Sequence, residues 1–410
     1  MRPHLNILFL LPDLPYPISD GMRQKTFYLL EMLSEHHSCD VISFYSEGQG
    51  QLEATQKALP HVNFLAAVSM ENGLVRSIRS ALNLLQMLPP SFARFQSQAF
   101  LANIIHATER KKYDVVHYDI INMAQFQRFL PTIPAVHSPN DATSLCSYRR
   151  LESAITPWQK LKLIIAAKLL ERYEKRNYGS FSKIHVVSKH DAEYLNANLP
   201  VGCVEYIPLG IAGVVAAHPP RRNSLAGEVV LVLGESNLQH VSAGLIDFLN
   251  EAAPELLKQF DRLNIQLHGK GTQKAITGHP LARNNRIKVL SWVDDLNELI
   301  RSVDVVVLPD KSGTGVKTRA LQAMACGAAV VGTQAAFEGI SDFVQSETHC
   351  VIVETPSAIA GAVTQLLLDQ EKCEQLGRAA AKLINANFSW KSLASRYECL
   401  YFSAIERWHE

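Results

Sequence analysis

Net charge is almost absent from this chain. Its 40 Lys and Arg residues offset 39 Asp and Glu residues over 410 positions, which leaves +1. So even a balance excludes a broad nucleic-acid-binding surface, which needs a field of one sign. Cysteine is sparse and unpatterned. Cys39, Cys146, Cys203, Cys326, Cys350, Cys373 and Cys399 are an odd seven with no Cys-x-x-Cys, which excludes a disulfide framework and a cysteine metal site and points to reduced thiols in a cytosolic protein. Long apolar runs are missing too. Leu5–Leu11 is too short for a signal-peptide core or a bilayer span, and Pro12 and Pro15 cut it off. The expected location is therefore cytoplasmic. The chain also lacks the Gly-Lys-Ser/Thr of a Walker loop and an evident metal-binding Asp-x-Asp.

What is present is ordinary globular composition, 47% hydrophobic and 19% charged, in a chain long enough for two domains with full cores. Short β-rich runs alternate with helical patterns. The strand candidates of the first half are Leu5–Leu11, Asp40–Tyr45, Val62–Ala66, Asp114–His117, Ile133–His137, Ile184–Val187 and Val204–Ile207. Those of the second half are Val229–Leu233, Asn264–His268, Ile287–Leu290, Val303–Leu308, Ala328–Gly332 and Cys350–Val353. Alternation of this kind predicts βαβ units, and near-continuous Val/Ile/Leu strands predict parallel sheets covered on both faces. The fold class is α/β, with two Rossmann-like, doubly wound domains. Pro208 to Asn223 is rich in Gly and Pro and lacks periodicity, so residues 209–226 read as a linker between domains at 1–208 and 227–387. Two such domains facing one another would place an active site in the cleft between them.

The most informative segment is Pro309-Asp310-Lys311-Ser312-Gly313-Thr314-Gly315-Val316-Lys317-Thr318-Arg319. It follows one apolar strand, and a helix expected from near Val316 leads on to the next. Two glycines allow a ligand close to the backbone, and the helix start aims unpaired N–H groups at the loop. Lys317 and Arg319 in the first turn oppose the helix dipole. An anion between them, with diphosphate the natural candidate, resolves that conflict. A tight turn before a helix with solvated charges is the plainer alternative.

The same frame, Gly313, Gly315, Lys317, Arg319, Gln322, Ala323, Met324, Ala325 and Gly327, resembles the nucleotide loop of GT-B glycosyltransferases of retaining family 4, the glycosyl transferases group 1. Val330-Val331-Gly332-Thr333 and Phe337-Glu338-Gly339-Ile340 resemble the same branch, and Val289 to Leu296 is similar to its base-contacting loop. Weaker likeness covers Pro15-Tyr16-Pro17 with Gly21-Met22-Arg23, Val186 to Asp191, and Tyr206 to Gly210. Phe388-Ser389-Trp390 resembles the start of the final helix, which in this fold crosses back to the first domain, so 388–410 is assigned there. Three features depart from the pattern. Gln322 stands where the family usually has Glu, Thr314 where its other acid would fall, and Gly234-Glu235-Ser236 lacks the Arg that often holds the diphosphate.

The resemblance implies transfer of a sugar from a nucleotide-diphosphate sugar to an acceptor hydroxyl, with retention, in glycan, polysaccharide or glycoconjugate synthesis. It implies no metal and no cofactor beyond the donor. The expected donor contacts are Gly21, Gly313, Thr314, Gly315, Lys317, Arg319, Gln322, Val293 and Glu338, with Lys317 and Arg319 neutralising the leaving diphosphate. His137 is expected near the donor sugar, with a packed histidine as its plainer reading. Arg23 and Asp141 are expected on the acceptor side, Asp141 alternatively as a helix N-cap. Arg149 to Arg176 carries eight basic and three acidic residues, a local charge of +5, with Leu163, Ala166, Ala167, Leu170 and Tyr173 at helical spacing. A half-buried domain helix is one reading; peripheral contact with a membrane holding a lipid-linked acceptor is another. The Ile78–Ile105 region, with Arg79 and Arg94 among Leu and Phe, carries the same ambiguity. Two further alternatives stand beside transfer: a degenerate GT-B protein that binds a sugar nucleotide or partner without turnover, and a GT-B-fold nucleotide-sugar epimerase. Gln322 separates transfer from the degenerate reading.

Overall fold

The computed structural model describes residues 3–18, 20–46, 48, 50–70, 73–151, 156–212, 228–234, 239–290, 293–311 and 316–409, without the side chains of 239–241. The chain divides into one unit of residues up to Leu209 plus Leu393 onward, and a second unit from Gly210 to Ser392.

The first unit holds seven parallel strands: β1 (Asn6–Leu11), β2 (Ser38–Tyr45), β3 (Asn63–Ser69), β4 (Val115–Asp119), β5 (Ala135–Asn140), β6 (Lys183–Val186) and β7 (Val204–Tyr206), in the order β3-β2-β1-β4-β5-β6-β7. β1 and β4 are buried along nearly their whole length, as a sheet covered on both faces requires. The β5–β6 ladder is irregular between His137 and Asn140, where Pro139 has no N–H to donate. Asn140 itself takes a positive φ of 72°.

Local chemistry sets the helices. Asp20 caps the Gly21–Leu33 helix by accepting from the Met22 and Arg23 amides. Thr156 and Gln159 form a reciprocal capping box at the head of Pro157–Asn177, with Pro157 in the first turn, where its missing N–H costs nothing. The Trp390–His409 helix joins the first unit from Leu393 onward. Its Tyr401 hydroxyl meets His117 Nδ1 at 2.8 Å, and Arg407 donates to the Val201 carbonyl at 3.0 Å.

The second unit holds six parallel strands: β8 (Val229–Leu233), β9 (Asn264–His268), β10 (Ile287–Leu290), β11 (Val305–Leu308), β12 (Ala329–Thr333) and β13 (Val351–Val353), in the order β10-β9-β8-β11-β12-β13. The strand order reverses at β8/β11, and ligands of doubly wound sheets sit beyond the carboxyl ends of the strands at such a point. Its core has two layers, one on each face of the sheet. One gathers Leu249, Leu256 and Val363, the other Leu321, Met324 and Phe388.

Candidate functional site

At the β8/β11 switch point of the second unit, β11 runs out through Pro309, Asp310 and Lys311. The expected contacts Gly313, Thr314 and Gly315 lie outside the described residues, and the chain resumes at Val316. The helix expected from near Val316 begins at Thr318 and runs to Ala325 with Lys317 in the N-cap position. Lys317 has no side chain suited to capping, so it makes no cap bond to the first-turn amides. Gly327, at a φ of 76°, ends this helix in the left-handed conformation that closes helices. Close approach is enforced elsewhere as well. A Cβ on Gly244, in the Gln239–Asp247 helix, would stand 1.8 Å from the Pro309 carbonyl oxygen, so that helix lies directly against the end of β11.

The two expected cations differ. Lys317 is half-buried, and burial lowers its pKa; Arg319 lowers it further, while Asp310 and Glu338 act in the opposite sense. Arg319 is ion-paired with the buried carboxylate of Asp310. It therefore arrives partly neutralised, which corrects the expectation of two uncompensated cations. Among the described residues the pair is incomplete: Asp310 Oδ2 and Arg319 Nε are buried and have no hydrogen-bond partner there. Thr333 holds the Asp310 carbonyl at 2.5 Å. Gln322 donates to Asn297 Oδ1 at 3.0 Å, and the Cys326 thiol donates to the same oxygen at 3.4 Å. Gln322 thus ties the Leu296–Arg301 helix to the Thr318–Ala325 helix. Val293 is half-buried just before Asp295, which caps Leu296–Arg301. Glu338 is exposed and borders an open depression of about 840 Å³ over the ends of β11, β12 and β13, with Asp310, Thr333 and Ser341 among its other walls. That volume lies within the range of small-molecule sites.

In the first unit, His137 is interior to β5, which continues to Asn140 instead of ending at the histidine. It is fully buried against Tyr178 and Phe181. Its Nδ1–H donates to the Tyr118 carbonyl at 3.1 Å, and burial drives its pKa down to about 3. These surroundings fit the packed reading. Gly21 opens a helix whose first amides are already taken by Asp20. Arg23 is engaged by the segments after β1 and β2, donating to Asp13 Oδ2 at 2.7 Å and to Ser46 Oγ at 3.2 Å. Asp141 is not an N-cap. Ala142 occupies that position before Thr143–Arg149, and Glu174 accepts the Ser144 amide at 3.0 Å instead. Asp141 is a half-buried carboxyl raised to about 6 by burial and by neighbouring Asp191.

The expectations above omit the buried polar cluster at the carboxyl ends of β4 and β5. Lys25 Nζ donates to Asp119 Oδ1 at 2.6 Å, Ser138 Oγ at 2.8 Å and Asn140 Oδ1 at 2.5 Å, while Thr26 Oγ1 donates to Asp119 Oδ2 at 2.8 Å. Burial alone would raise the Asp119 pKa, yet Lys25 and His117 outweigh it and hold the carboxyl far below its usual range. Ser138 continues the cluster to His185 at 2.8 Å. The signal in the sequence was a strand, Val115 to Asp119, that changes from apolar to His and Asp at its carboxyl end. Among the described residues no group of three or more His, Cys, Asp or Glu side chains could hold a metal ion, and no helix is long and apolar enough to cross a membrane.

With this geometry in view, residues 228–369 match the family model of the glycosyl transferases group 1. Over 125 residues the chain is 29% identical to N-acetyl-alpha-D-glucosaminyl L-malate synthase of Bacillus anthracis, a stretch covering 30% of this chain and 32% of that relative. The whole fold is similar to sucrose-phosphate synthase from Thermosynechococcus elongatus, with a TM-score of 0.68, 16% identity, and 98% and 99% of the two chains covered. It is also similar to Anabaena HepE in complex with UDP, with a TM-score of 0.65, 15% identity, and 97% and 100% covered. These likenesses show the GT-B fold.

Proposed function

We propose that this chain, a GT-B-fold protein whose second unit carries a glycosyl transferases group 1 domain, transfers a sugar from a nucleoside-diphosphate sugar to an acceptor hydroxyl in glycan assembly. One observation carries the reading: Lys317, a partly desolvated ammonium, stands at the N-cap of a helix at the β8/β11 switch point. Partial burial strengthens its attraction for an anion. The HepE structures hold UDP and UDP-glucose, and uridine diphosphate is the first ligand to test here.

In the proposed reaction the acceptor oxygen bonds to the anomeric carbon as that carbon's bond to the diphosphate oxygen breaks. The bonding electrons leave with the diphosphate, and the acceptor proton passes to a phosphate oxygen. Transfer with retention needs no dedicated base, consistent with the packed setting of His137. Lys317, the amides that open the Thr318–Ala325 helix and the Asp310-paired Arg319 would oppose the charge growing on the leaving group. Glu338 and the hydroxyls of the neighbouring depression suit a polyhydroxylated sugar. Side-chain neutralisation makes the step metal-independent in this account, and a reaction of this kind belongs on the cytosolic side, where nucleotide sugars are made.

A second reading has one observation in its favour. Arg319 and Gln322, both expected at the donor, are engaged with Asp310 and Asn297. A protein that binds a nucleotide sugar without turnover would tolerate this. Release of nucleoside diphosphate from a panel of donors and acceptors decides between the two. Turnover abolished by Lys317→Ala supports transfer. Tight binding without turnover, together with turnover gained in Gln322→Glu, supports the degenerate binder.

A further inference from the structure

The Gly73–Leu85 helix of the first unit is built the wrong way round for a helix of a globular domain. Leu74, Ile78, Leu82 and Leu85 recur at steps of four, four and three residues, so they share one face. That face is turned outward: Leu74 is 77% exposed and Leu85 81%. The polar face is the one held against the protein. Arg79 donates to the Gln96 carbonyl, Ser80 donates to the Pro90 carbonyl at 3.3 Å, and buried Asn83 accepts from Gln96 at 3.0 Å. The helix is thus fastened by hydrogen bonds to residues 90–96 and leaves its apolar ridge uncovered, about 20 Å long for 13 residues.

Charge says what covers it. From Asn72 to Thr108 the sequence has no Asp or Glu, while Arg76, Arg79 and Arg94 lie within it. The same residues 90–95 also support the Pro157–Asn177 helix, through Phe92 against Tyr173 at 4.7 Å between ring centres. The first two turns of that helix are exposed, with Trp158 at 74% exposure beside Lys160 and Lys162. An aliphatic ridge without acidic residues, a solvent-facing Trp and flanking lysines are the chemistry of an interfacial helix. A second copy of the chain would offer the exposed Arg76 the same acid-free surface and no partner of opposite charge, which disfavours self-association.

We propose that the apolar face of Gly73–Leu85 docks on a bilayer bearing anionic headgroups, with the exposed Trp158, Lys160 and Lys162 as a second anchor. This goes beyond the sugar-transfer reading, and its test uses neither nucleotide nor acceptor, so either can fail alone. The intact protein is floated with phosphatidylethanolamine/phosphatidylglycerol vesicles and with phosphatidylcholine vesicles. The expected result is recovery with the anionic vesicles that salt weakens. A Leu74→Ser/Ile78→Ser/Leu82→Ser variant with unchanged Tm should lose ~10-fold or more in partition. Lys160→Glu/Lys162→Glu should weaken binding to anionic vesicles and leave phosphatidylcholine unaffected. No recovery with anionic vesicles overturns the proposal, as does equal partition of the apolar variant. A dimer abolished by that variant in the absence of vesicle binding overturns it in favour of a second copy.

Discussion

Lys317 and His137 show how the same sequence evidence resolves differently once burial is known. Lys317 is held half in and half out of water, and burial makes its proton easier to lose than that of an ordinary lysine. A bound diphosphate would restore the charged form. The sign then follows: affinity for a nucleoside diphosphate is full below the depressed pKa of the free protein and declines as pH rises through it, whereas Lys317→Ala binds more weakly with that decline removed. Calorimetric titrations across pH check this. His137 is expected to behave as a packing residue. His137→Phe leaves the Tyr118 carbonyl without its donor and should destabilise by about 1–3 kcal/mol while nucleotide affinity stays unchanged. Lost affinity at an unaltered Tm would return His137 to the site.

At the scale of elements, one buried carboxylate organises the pair of helices Thr143–Arg149 and Pro157–Asn177. Glu174 projects from the second and accepts the Ser144 amide and hydroxyl of the first. Burial raises its carboxyl to about 7, against 4.5 in the unfolded chain, although the bonds from Ser144 pull the other way. The folded state therefore holds this proton more tightly. Its contribution to stability is complete below the unfolded pKa and is lost as pH rises through the folded one, on the order of 3 kcal/mol at most. Melting temperatures between pH 4 and 8 should show this loss in the native chain and a flatter profile in Glu174→Gln. A parallel profile in the variant would remove Glu174 from the explanation.

The same scale shows what was legible beforehand. The strand Val229–Leu233 appears where its apolar run placed it, because parallel strands buried on both faces leave an unbroken apolar signature, whereas Asn264–His268 shows itself by alternation, with Ile265 and Leu267 buried between polar neighbours. Less legible was where elements begin and end. β5 runs on through Ser138 and Asn140 because Lys25 satisfies their polar side chains from a distant helix, and no local pattern announces such a partner. The pairing of Arg319 with Asp310 was hidden for the same reason. Nine residues apart, the two meet only because β11 ends where the next helix starts. Glycine and lysine spacing marked the loop; the charge state of its cations depended on contacts that only the folded chain supplies.

For the whole molecule, the two units carry separate cores, and the proposed donor contacts around the loop belong to the second. Donor binding should therefore slow amide exchange chiefly from Val305 to Ser341 and around Asp295, leaving the β4–β5 cluster of the first unit at its basal rate. Protection spread evenly over both sheets would contradict that assignment. Metal removal gives a second check at this scale. Turnover should survive exhaustive chelation, and loss of turnover restored by a divalent cation would refute neutralisation by side chains.

The central claim is that the loop after β11 of the second unit, at the β8/β11 switch point, binds the diphosphate of a nucleotide sugar, and a calorimetric titration tests it most directly. The intact chain is titrated with UDP, GDP, ADP, CDP and dTDP, with Lys317→Ala as the matched variant. Saturable binding of one diphosphate, weakened about 10- to 100-fold by the substitution, is the predicted result. No binding by any of the five, or equal binding by the variant, would contradict it.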